Sequence, residues 1–264
     1  MAGAFGQLRR QPGGADQSTG SNRVRGRVAL LLAVAAIALT PMPAAAQSGR
    51  GAELSAEIDA LSSEVAQLEA ARAIRNLQRA FGFYMDRGLW SEAADLFAED
   101  GTVEIGMDGV YVGKARIRDY LRRLGGGQDG LRYGQLNEWV TLQPLITVAA
   151  DGRSARARWR DLGMLGDFGH MAYWRDGIYE NDYVLEDGVW KIRALHLFVN
   201  FVAPYEGGWA RLKPAAKDWR SEAARAFPPD RPPTANYRPF PEPQLPPFHF
   251  VHPVTGRPVT EAQP

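Results

Sequence analysis

The stretch from Leu77 to Ile105 limits the possible folds of this chain most strongly. It predicts a helix, a tight break, a second helix and a strand in direct succession. Apolar residues recur at the spacing of an amphipathic helix, namely Ile74, Leu77, Phe81, Tyr84 and Met85. Gly88 then stands where a left-handed helix end favours a residue without Cβ. Ser91 is placed to cap the second helix, and a strand is predicted over 102–105.

Beyond this stretch the prediction changes from helices to strands. A third helix is predicted over 114–124, and the glycine triplet after it lacks the Lys-Ser/Thr of a phosphate loop. Long strands are predicted over 135–149, 155–161, 173–184 and 190–201. Three helices followed by long, mostly antiparallel strands indicate the α+β class.

Alternation along the predicted strands assigns side chains to the two faces of a sheet. Trp159 and Asp161 share one face of their strand, opposite three arginines, so these two residues are expected to face inward. An inward Asp161 needs a partner, and His170 is one candidate. In the last long strand Arg193 is placed outward, which predicts that His196 faces inward.

The order and spacing of these segments resemble the SnoaL-like branch of the nuclear transport factor 2-like superfamily. The similar segments are a helix ending in Tyr84-Met85-Asp86, then Trp90, LFAEDGTVE, GVYVGKARIRDYL and ENDYVLEDGVWKIRALH. The resemblance implies a cone-shaped, curved, mostly antiparallel sheet wrapped around three N-terminal helices, with a pocket at the open mouth. This fold hosts dehydratases, isomerases, cyclases and non-catalytic binders, so the fold alone does not fix the activity.

The resemblance also implies a site in that pocket. Similar dehydratases pair a helix aspartate with a strand histidine that moves a proton, which makes Asp86 and His196 the expected catalytic pair. Contacts to an apolar or aromatic substrate are expected from Tyr84, Tyr179, Asn181, Trp139, Trp159, Asp161 and His170. The implied function is a cofactor-independent lyase or isomerase that acts on a small cyclic carbonyl compound by general acid–base chemistry.

One departure from the dehydratase pattern supports a second hypothesis. Those enzymes carry a histidine on the strand at about 135–143, and this chain has none there. The alternative is a non-catalytic small-molecule-binding or assembly module of the same fold. The expected site residues also have structural interpretations: Asp86 can satisfy backbone amides at the helix end, and Tyr84 and His196 can be core residues.

Composition and charge exclude several other classes. The chain has no cysteine, which excludes disulfides and thiolate catalysis. Its formal net charge of +1 gives no electrostatic reason to expect a nucleic-acid partner. His249 and His252 lie in a proline-rich tail, and no two histidines of the domain have metal-ligand spacing, so neither a metal nor another cofactor is expected.

Residues 1–46 predict a disordered start followed by a cleavable export signal. Three arginines precede an apolar run from Val28 to Leu39, and a cleavage site follows near Ala46. We therefore expect a periplasmic or secreted protein that has no membrane attachment after cleavage. An uncleaved anchor is the alternative, although the run is shorter than the ~20 residues of a spanning helix.

Two further segments flank the domain predicted over 72–205. Residues 47–71 contain a heptad pattern formed by Leu54, Ile58, Leu61, Val65 and Leu68. This helix is expected to pack either on a second copy, in a homodimer, or on its own domain. Residues 206–264 combine many prolines with aromatic residues, which predicts an extended arm on the domain or on a neighbouring subunit; a disordered tail is the alternative.

Overall fold

The computed structural model describes residues 44–242 and 246–259, with side chains from residue 49 onward. Contacts divide the chain into two units, Met1–Gly49 and Arg50–Pro264, and the features reported below lie in the second unit, apart from the first residues of the first helix. The predicted export signal lies outside the described residues, apart from the backbone of residues 44–46. Within the described ranges, the structure contains no helix that is both long and apolar enough to cross a membrane.

Helices and strands follow one another in the predicted order, except that an unpredicted short strand precedes the third helix. The first part of the chain forms α1 (Ala44–Asp86), α2 (Trp90–Asp95), β1 (Phe97–Ile105), β2 (Val110–Val112) and α3 (Lys114–Leu124). The second part forms β3 (Gln135–Val148), β4 (Ser154–Asp167), β5 (Met171–Glu186), β6 (Val189–Pro204) and a short α4 (Glu222–Ala226). The α+β class is therefore confirmed.

One six-stranded, curved and unclosed sheet carries the domain, in the order β2-β1-β6-β5-β4-β3. Neighbouring strands are antiparallel except β1 and β6, which are parallel. The first strand begins at Phe97, earlier than the predicted start at 102. Ser91 lies inside α2 and makes no capping hydrogen bond, because that helix begins one residue earlier.

Helix α1 packs against one face of the sheet, which we call the inner face. Gln78 of α1 accepts hydrogen bonds there from strand β5, and Phe81 meets Trp139 of β3 edge to face at 6.5 Å between ring centroids. Gly82 permits this approach, since a Cβ at that position would lie 2.8 Å from the Trp139 carbonyl oxygen. Gly88, with a φ of 67°, then ends the helix as predicted.

A β-bulge interrupts the pairing of β6 with β5. Tyr183 pairs with Ile192, whereas the adjacent Asp182 pairs with Ala194, so Arg193 is an extra residue in β6. Because successive side chains of a strand point to opposite faces, one extra residue inverts the alternation beyond it. The residues of β6 just before and just after Arg193 therefore follow opposite patterns of inward and outward side chains; a second register shift follows at Asn200.

The bulge moves His196 away from its predicted face. Leu195 and Leu197 are buried on the inner face, opposite Asn181 and Tyr179 of the neighbouring strand. His196 therefore lies on the other face of the sheet, which we call the outer face. The prediction that His196 faces inward is wrong, because the extrapolation from Arg193 did not include an inserted residue.

The described parts of the C-terminal arm, residues 206–242 and 246–259, lie against β1, β2 and the outer face. Its Phe227 carbonyl accepts a hydrogen bond from the Tyr111 hydroxyl at 2.7 Å, and Arg231 forms an isolated bridge with Val110. Farther along, the Pro247 carbonyl accepts from the guanidinium of Arg158 at 3.0 Å. The arm therefore covers part of the outer face in the region that contains His196.

Candidate functional site

The structure brings most of the expected substrate contacts together on the inner face. Trp159 is paired with Tyr179 across β4 and β5, and Asn181 is the next inward residue of β5. Trp139 and Asp161 lie on the same face, and all five side chains are buried. The sequence alternation therefore grouped these residues correctly, although their role in binding a ligand stays a prediction.

A hydrogen-bond network joins the inner face to helix α1. The Gln78 carbonyl oxygen accepts from the Asn181 amide at 3.0 Å and from the Tyr183 hydroxyl at 2.8 Å. The Trp159 indole N–H donates to the same Tyr183 hydroxyl at 3.0 Å. Buried networks of this kind fix the relative positions of the groups that they join.

Asp161 is paired with Arg175, a residue that the sequence interpretation did not consider. The guanidinium donates to the two carboxylate oxygens at 2.6 and 3.0 Å, and both side chains are buried. Burial alone would lower the pKa of Arg175, but the charge and hydrogen bonds of Asp161 raise it. His170 is not the partner of Asp161. The Arg175 guanidinium also stacks on the Trp139 ring at 3.6 Å.

Two buried polar groups of the inner face have no hydrogen-bond partner among the described residues. They are the Tyr179 hydroxyl and the Gln78 amide nitrogen. The Tyr179 hydroxyl lies near the Asp161 carboxylate without meeting the geometry of a hydrogen bond to it; burial, followed by that charge, raises the pKa of the phenol.

Asp86 fastens the end of α1 to β3. One of its carboxylate oxygens accepts a hydrogen bond from the Trp139 backbone N–H at 2.6 Å. Burial raises the pKa of Asp86, and this backbone hydrogen bond opposes the rise. Tyr84, also at the helix end, is half-buried against the core. These contacts correspond to the structural interpretation of both residues.

His196 lies on the outer face beside a buried carboxyl group. Its Nε2 atom is 3.6 Å from Oε1 of Glu104 and has no hydrogen-bond partner among the described residues. The ring stacks on Phe198 at 3.7 Å between centroids. Burial lowers the pKa of His196 to about 4. Since Asp86 contacts the backbone of β3 from the inner side, the structure does not bring the expected catalytic pair together.

Glu104 is the residue of this region that sequence reasoning missed. Both of its oxygens accept hydrogen bonds from Thr234 of the arm, at 2.9 Å from the backbone N–H and 2.7 Å from the hydroxyl. Burial raises the pKa of Glu104, and these hydrogen bonds oppose the rise. A nearby ionised carboxylate would favour a protonated His196, but burial disfavours the charged form of both groups. The only sequence signal was one acidic residue inside a short apolar strand.

A cavity of about 620 Å³ lies between the outer face and the arm. Glu104, His196 and Glu180 line it from the sheet, and Arg231 and Pro246 line it from the arm. Its wall combines apolar surface with many polar and charged side chains, so it offers both kinds of contact to a small molecule. We call this space the outer-face cavity.

A second cluster holds the arm over the outer-face cavity. Glu180 forms an ion pair with Arg158 and lies 2.8 Å from Nδ1 of His249. The His249 ring is almost completely buried, and its Nε2 atom has no hydrogen-bond partner among the described residues. This cluster therefore fixes the arm to the strand next to His196.

His170 lies apart from the other expected site residues. It is exposed at the hairpin between β4 and β5, where it lines a separate hollow of about 650 Å³ together with Phe168 and Tyr205. In the part of the chain that the structure describes, no three His, Cys, Asp or Glu side chains are grouped so that they could hold a metal ion.

Comparison with known families agrees with this fold. A family model described as a SnoaL-like domain matches residues 66–196, about half of the chain. The domain therefore belongs to the nuclear transport factor 2-like superfamily of α+β proteins. Within that superfamily, this chain carries a SnoaL-like domain, which confirms the resemblance seen in the sequence. No curated protein matches the sequence.

Three solved structures illustrate the likeness. A provisionally assigned scytalone dehydratase from Novosphingobium aromaticivorans is 20% identical, with a TM-score of 0.47 over 54% of this chain and 91% of that chain. A hexachlorocyclohexane dehydrochlorinase from Novosphingobium barchaimii is 18% identical, with a TM-score of 0.48 over 55% and 95%. An NTF2-like protein with a cystatin-like fold from N. aromaticivorans is 19% identical, with a TM-score of 0.40 over 63% and 93%. Likenesses at this level do not indicate a shared activity.

Proposed function

We propose that this protein is a cofactor-independent lyase or isomerase that acts on a small cyclic carbonyl compound in the outer-face cavity. The observation that carries the proposal is His196, which lines that cavity and whose Nε2 atom is buried and unpaired among the described residues. A buried nitrogen without a partner is costly unless a ligand or water hydrogen-bonds to it. His196 keeps its proposed role as general base, and Glu104 replaces Asp86 as its partner.

The chemistry follows from the protonation state of His196. With a pKa of about 4 the imidazole is neutral at pH 7, so its free nitrogen can accept a proton from the carbon next to a carbonyl group. The C–H bond breaks, its electron pair moves to the carbonyl oxygen, and an enolate forms. The Glu104 carboxylate, 3.6 Å away, stabilises the imidazolium, and Arg231 can donate hydrogen bonds to the enolate oxygen.

Two outcomes of this enolate define the two reaction types. In an isomerase, the imidazolium returns its proton to a different carbon atom of the substrate. In a lyase, the enolate electrons expel a leaving group from the neighbouring carbon, and the imidazolium protonates that group. Both outcomes restore the neutral histidine, so the cycle needs no redox partner.

A non-catalytic small-molecule-binding module is the second candidate function. The low pKa of His196 favours it, because a base with a pKa of about 4 removes protons weakly near neutral pH. In that case the neutral imidazole and the Thr234-bound carboxyl group of Glu104 would serve only as hydrogen-bonding groups for a ligand.

Two measurements on one ligand panel separate the candidates. The panel consists of cyclic ketones and aromatic carbonyl compounds, screened by thermal shift and then by NMR for exchange of α-protons in D₂O. For an enzyme, ligands raise the melting temperature and exchange is catalysed; His196→Gln should reduce that catalysis by about a hundredfold or more. His252→Gln, which alters an exposed histidine near the end of the arm, is the matched control.

The remaining results are equally informative. A thermal shift without exchange would support the binding module and exclude catalysis on that compound. If His196→Gln and Glu104→Gln bind and exchange the active compounds as wild type does, the outer-face cavity is not the site. Asp86→Asn tests the pairing of Asp86 with His196 that the family resemblance implies. If this variant loses exchange but keeps its stability, Asp86 takes part in the reaction and the site lies on the inner face.

A further inference from the structure

The first half of helix α1 presents a stripe of large apolar side chains to solvent. Leu54, Ile58, Leu61, Val65 and Leu68 are between 53% and 71% exposed. We call these five residues the seam. The second half of the same helix is different, since Ile74, Phe81 and Met85 are fully buried in the domain. The seam therefore does not pack on its own domain.

We propose that the seam pairs with the seam of a second copy of this chain, in a parallel two-stranded coiled coil. Its residues are four and three apart in alternation, which is the spacing of the a and d positions of a heptad repeat. Ile58 and Val65 then occupy a positions, and leucines occupy the d positions. β-Branched residues at a with leucine at d favour two parallel strands over other arrangements.

The helix that carries the seam is already formed before the two copies associate. Isolated helices of two or three heptads are marginally stable in water, because nucleation is costly. Here the seam belongs to a continuous helix, Ala44–Asp86, whose C-terminal half is anchored in the core. The second copy therefore meets a helix that is already formed, and less conformational entropy is lost on association.

Flanking residues limit the strength of the pairing. The seam ends at Arg72, which takes the next a position, so the paired region covers only about two heptads. In a parallel pair Glu64 of one copy also faces Glu69 of the second copy, and these like charges repel each other. We therefore expect a reversible dimer that high salt strengthens by screening this repulsion.

Sedimentation equilibrium of the chain from Gln47 onward tests the association. Wild type should show a monomer–dimer equilibrium, and Leu61→Glu should raise the dissociation constant at least about a hundredfold, because each copy buries one leucine less and gains a charge in the interface. Ser63→Glu adds the same charge to the outer side of the same helix and should leave the dimer intact. A monomeric wild type at high protein concentration, or equal effects of the two variants, would overturn the proposal.

The absence of native cysteine permits a direct test of direction. In a parallel pair each position meets its own equivalent, so Leu54→Cys should form a disulfide-linked dimer under mild oxidation. In an antiparallel pair Leu54 lies opposite a different residue, and the same variant stays unlinked while Leu61→Glu still abolishes association. Ser63→Cys is the control for random collision. A dimer in which Leu54→Cys does not cross-link faster than Ser63→Cys refutes the parallel arrangement.

Charge reversal gives an independent readout of the parallel register. Glu69→Lys replaces the repulsion of Glu64 by an attraction at two symmetric places, and should tighten the dimer by about five- to tenfold. Glu57→Lys makes the same change in net charge but faces Ser62 of the second copy, so it should have little effect. A tighter dimer with Glu57→Lys and an unchanged dimer with Glu69→Lys would contradict this register.

Discussion

Acidification should destabilise this protein through His196, and the structure sets the size of the effect. Burial lowers the pKa of His196 from the ordinary 6.5 to about 4 in the folded state. Below pH 6.5 the unfolded chain binds the proton first, so the free energy of unfolding falls with pH until the folded protein also protonates near pH 4. At about 1.4 kcal/mol per pH unit, the full loss is about 3 kcal/mol, of which about 2 kcal/mol is lost by pH 5.

The neighbouring carboxyl group acts in the opposite direction. Burial raises the pKa of Glu104, so the folded state takes up this proton before the unfolded chain does, and acidification stabilises the fold through Glu104. The two contributions are separated by comparing His196→Gln with its parent both in wild type and in the Glu104→Gln background. An ionised Glu104 would also favour the imidazolium, which makes about 3 kcal/mol the upper limit.

Urea unfolding at pH 7, 6, 5 and 4 measures the effect. The difference in free energy of unfolding between the parent and His196→Gln should shift in favour of the variant as the pH falls from about 6.5 to about 4. His252→Gln, which removes an exposed histidine of the arm, shows how much of the shift any lost histidine produces. A difference between parent and His196→Gln that is the same at all four pH values would refute the reasoning, because burial would then not disfavour the charged imidazole.

Three further substitutions and one mass measurement have defined outcomes. Asp161→Asn leaves the buried Arg175 guanidinium without its counter-charge and should lower the free energy of unfolding by about 3–5 kcal/mol in urea; a loss below about 1 kcal/mol would show that water reaches the pair. Gly82→Ala places a methyl group 2.8 Å from a strand carbonyl and should lower the melting temperature. Gly51→Ala, which meets open space, should instead stabilise the helix by about 1 kcal/mol, and equal effects of the two would contradict the close approach. If the export signal is cleaved near Ala46 as expected, the intact mass of the exported protein should correspond to a chain that begins at Gln47. The mass of the full-length chain would contradict cleavage.

The fold was predictable because its signals are local. Apolar spacing and Gly88 predicted the end of α1, and strict alternation correctly placed Trp159 and Asp161 inward and the arginines of β4 outward. A strand and a helix that each bury one face have different spacings of apolar residues. The spacing in a single sequence therefore predicts both kinds of element. The early start of β1 at Phe97 was missed, since the sequence there reads equally well as the end of a helix.

The candidate site was less predictable because it depends on contacts between distant segments. Glu104 meets His196 through the parallel pairing of β1 with β6, and Thr234 reaches Glu104 from 130 residues farther along the chain. Neither contact has a local sequence signal. The ion pair of Asp161 with Arg175 was missed for a related reason: its geometry depends on the register of β4 against β5.

The extra residue at position 193 has a consequence for mutational tolerance along β6. Before it, the buried position is even-numbered, at Ile192; after it, the buried positions are odd-numbered, at Leu195 and Leu197. Between Val189 and Val199, a scan of charged substitutions should therefore show a two-residue rhythm that changes phase once, at Arg193. Deleting Arg193 would remove that phase change. One part of the strand would then shift by one residue, and the positions in that part that tolerate a charged side chain would become the sensitive ones. An alignment with a chain that lacks this extra residue needs a one-residue gap at this point, or it will equate residues that occupy opposite sides of the sheet.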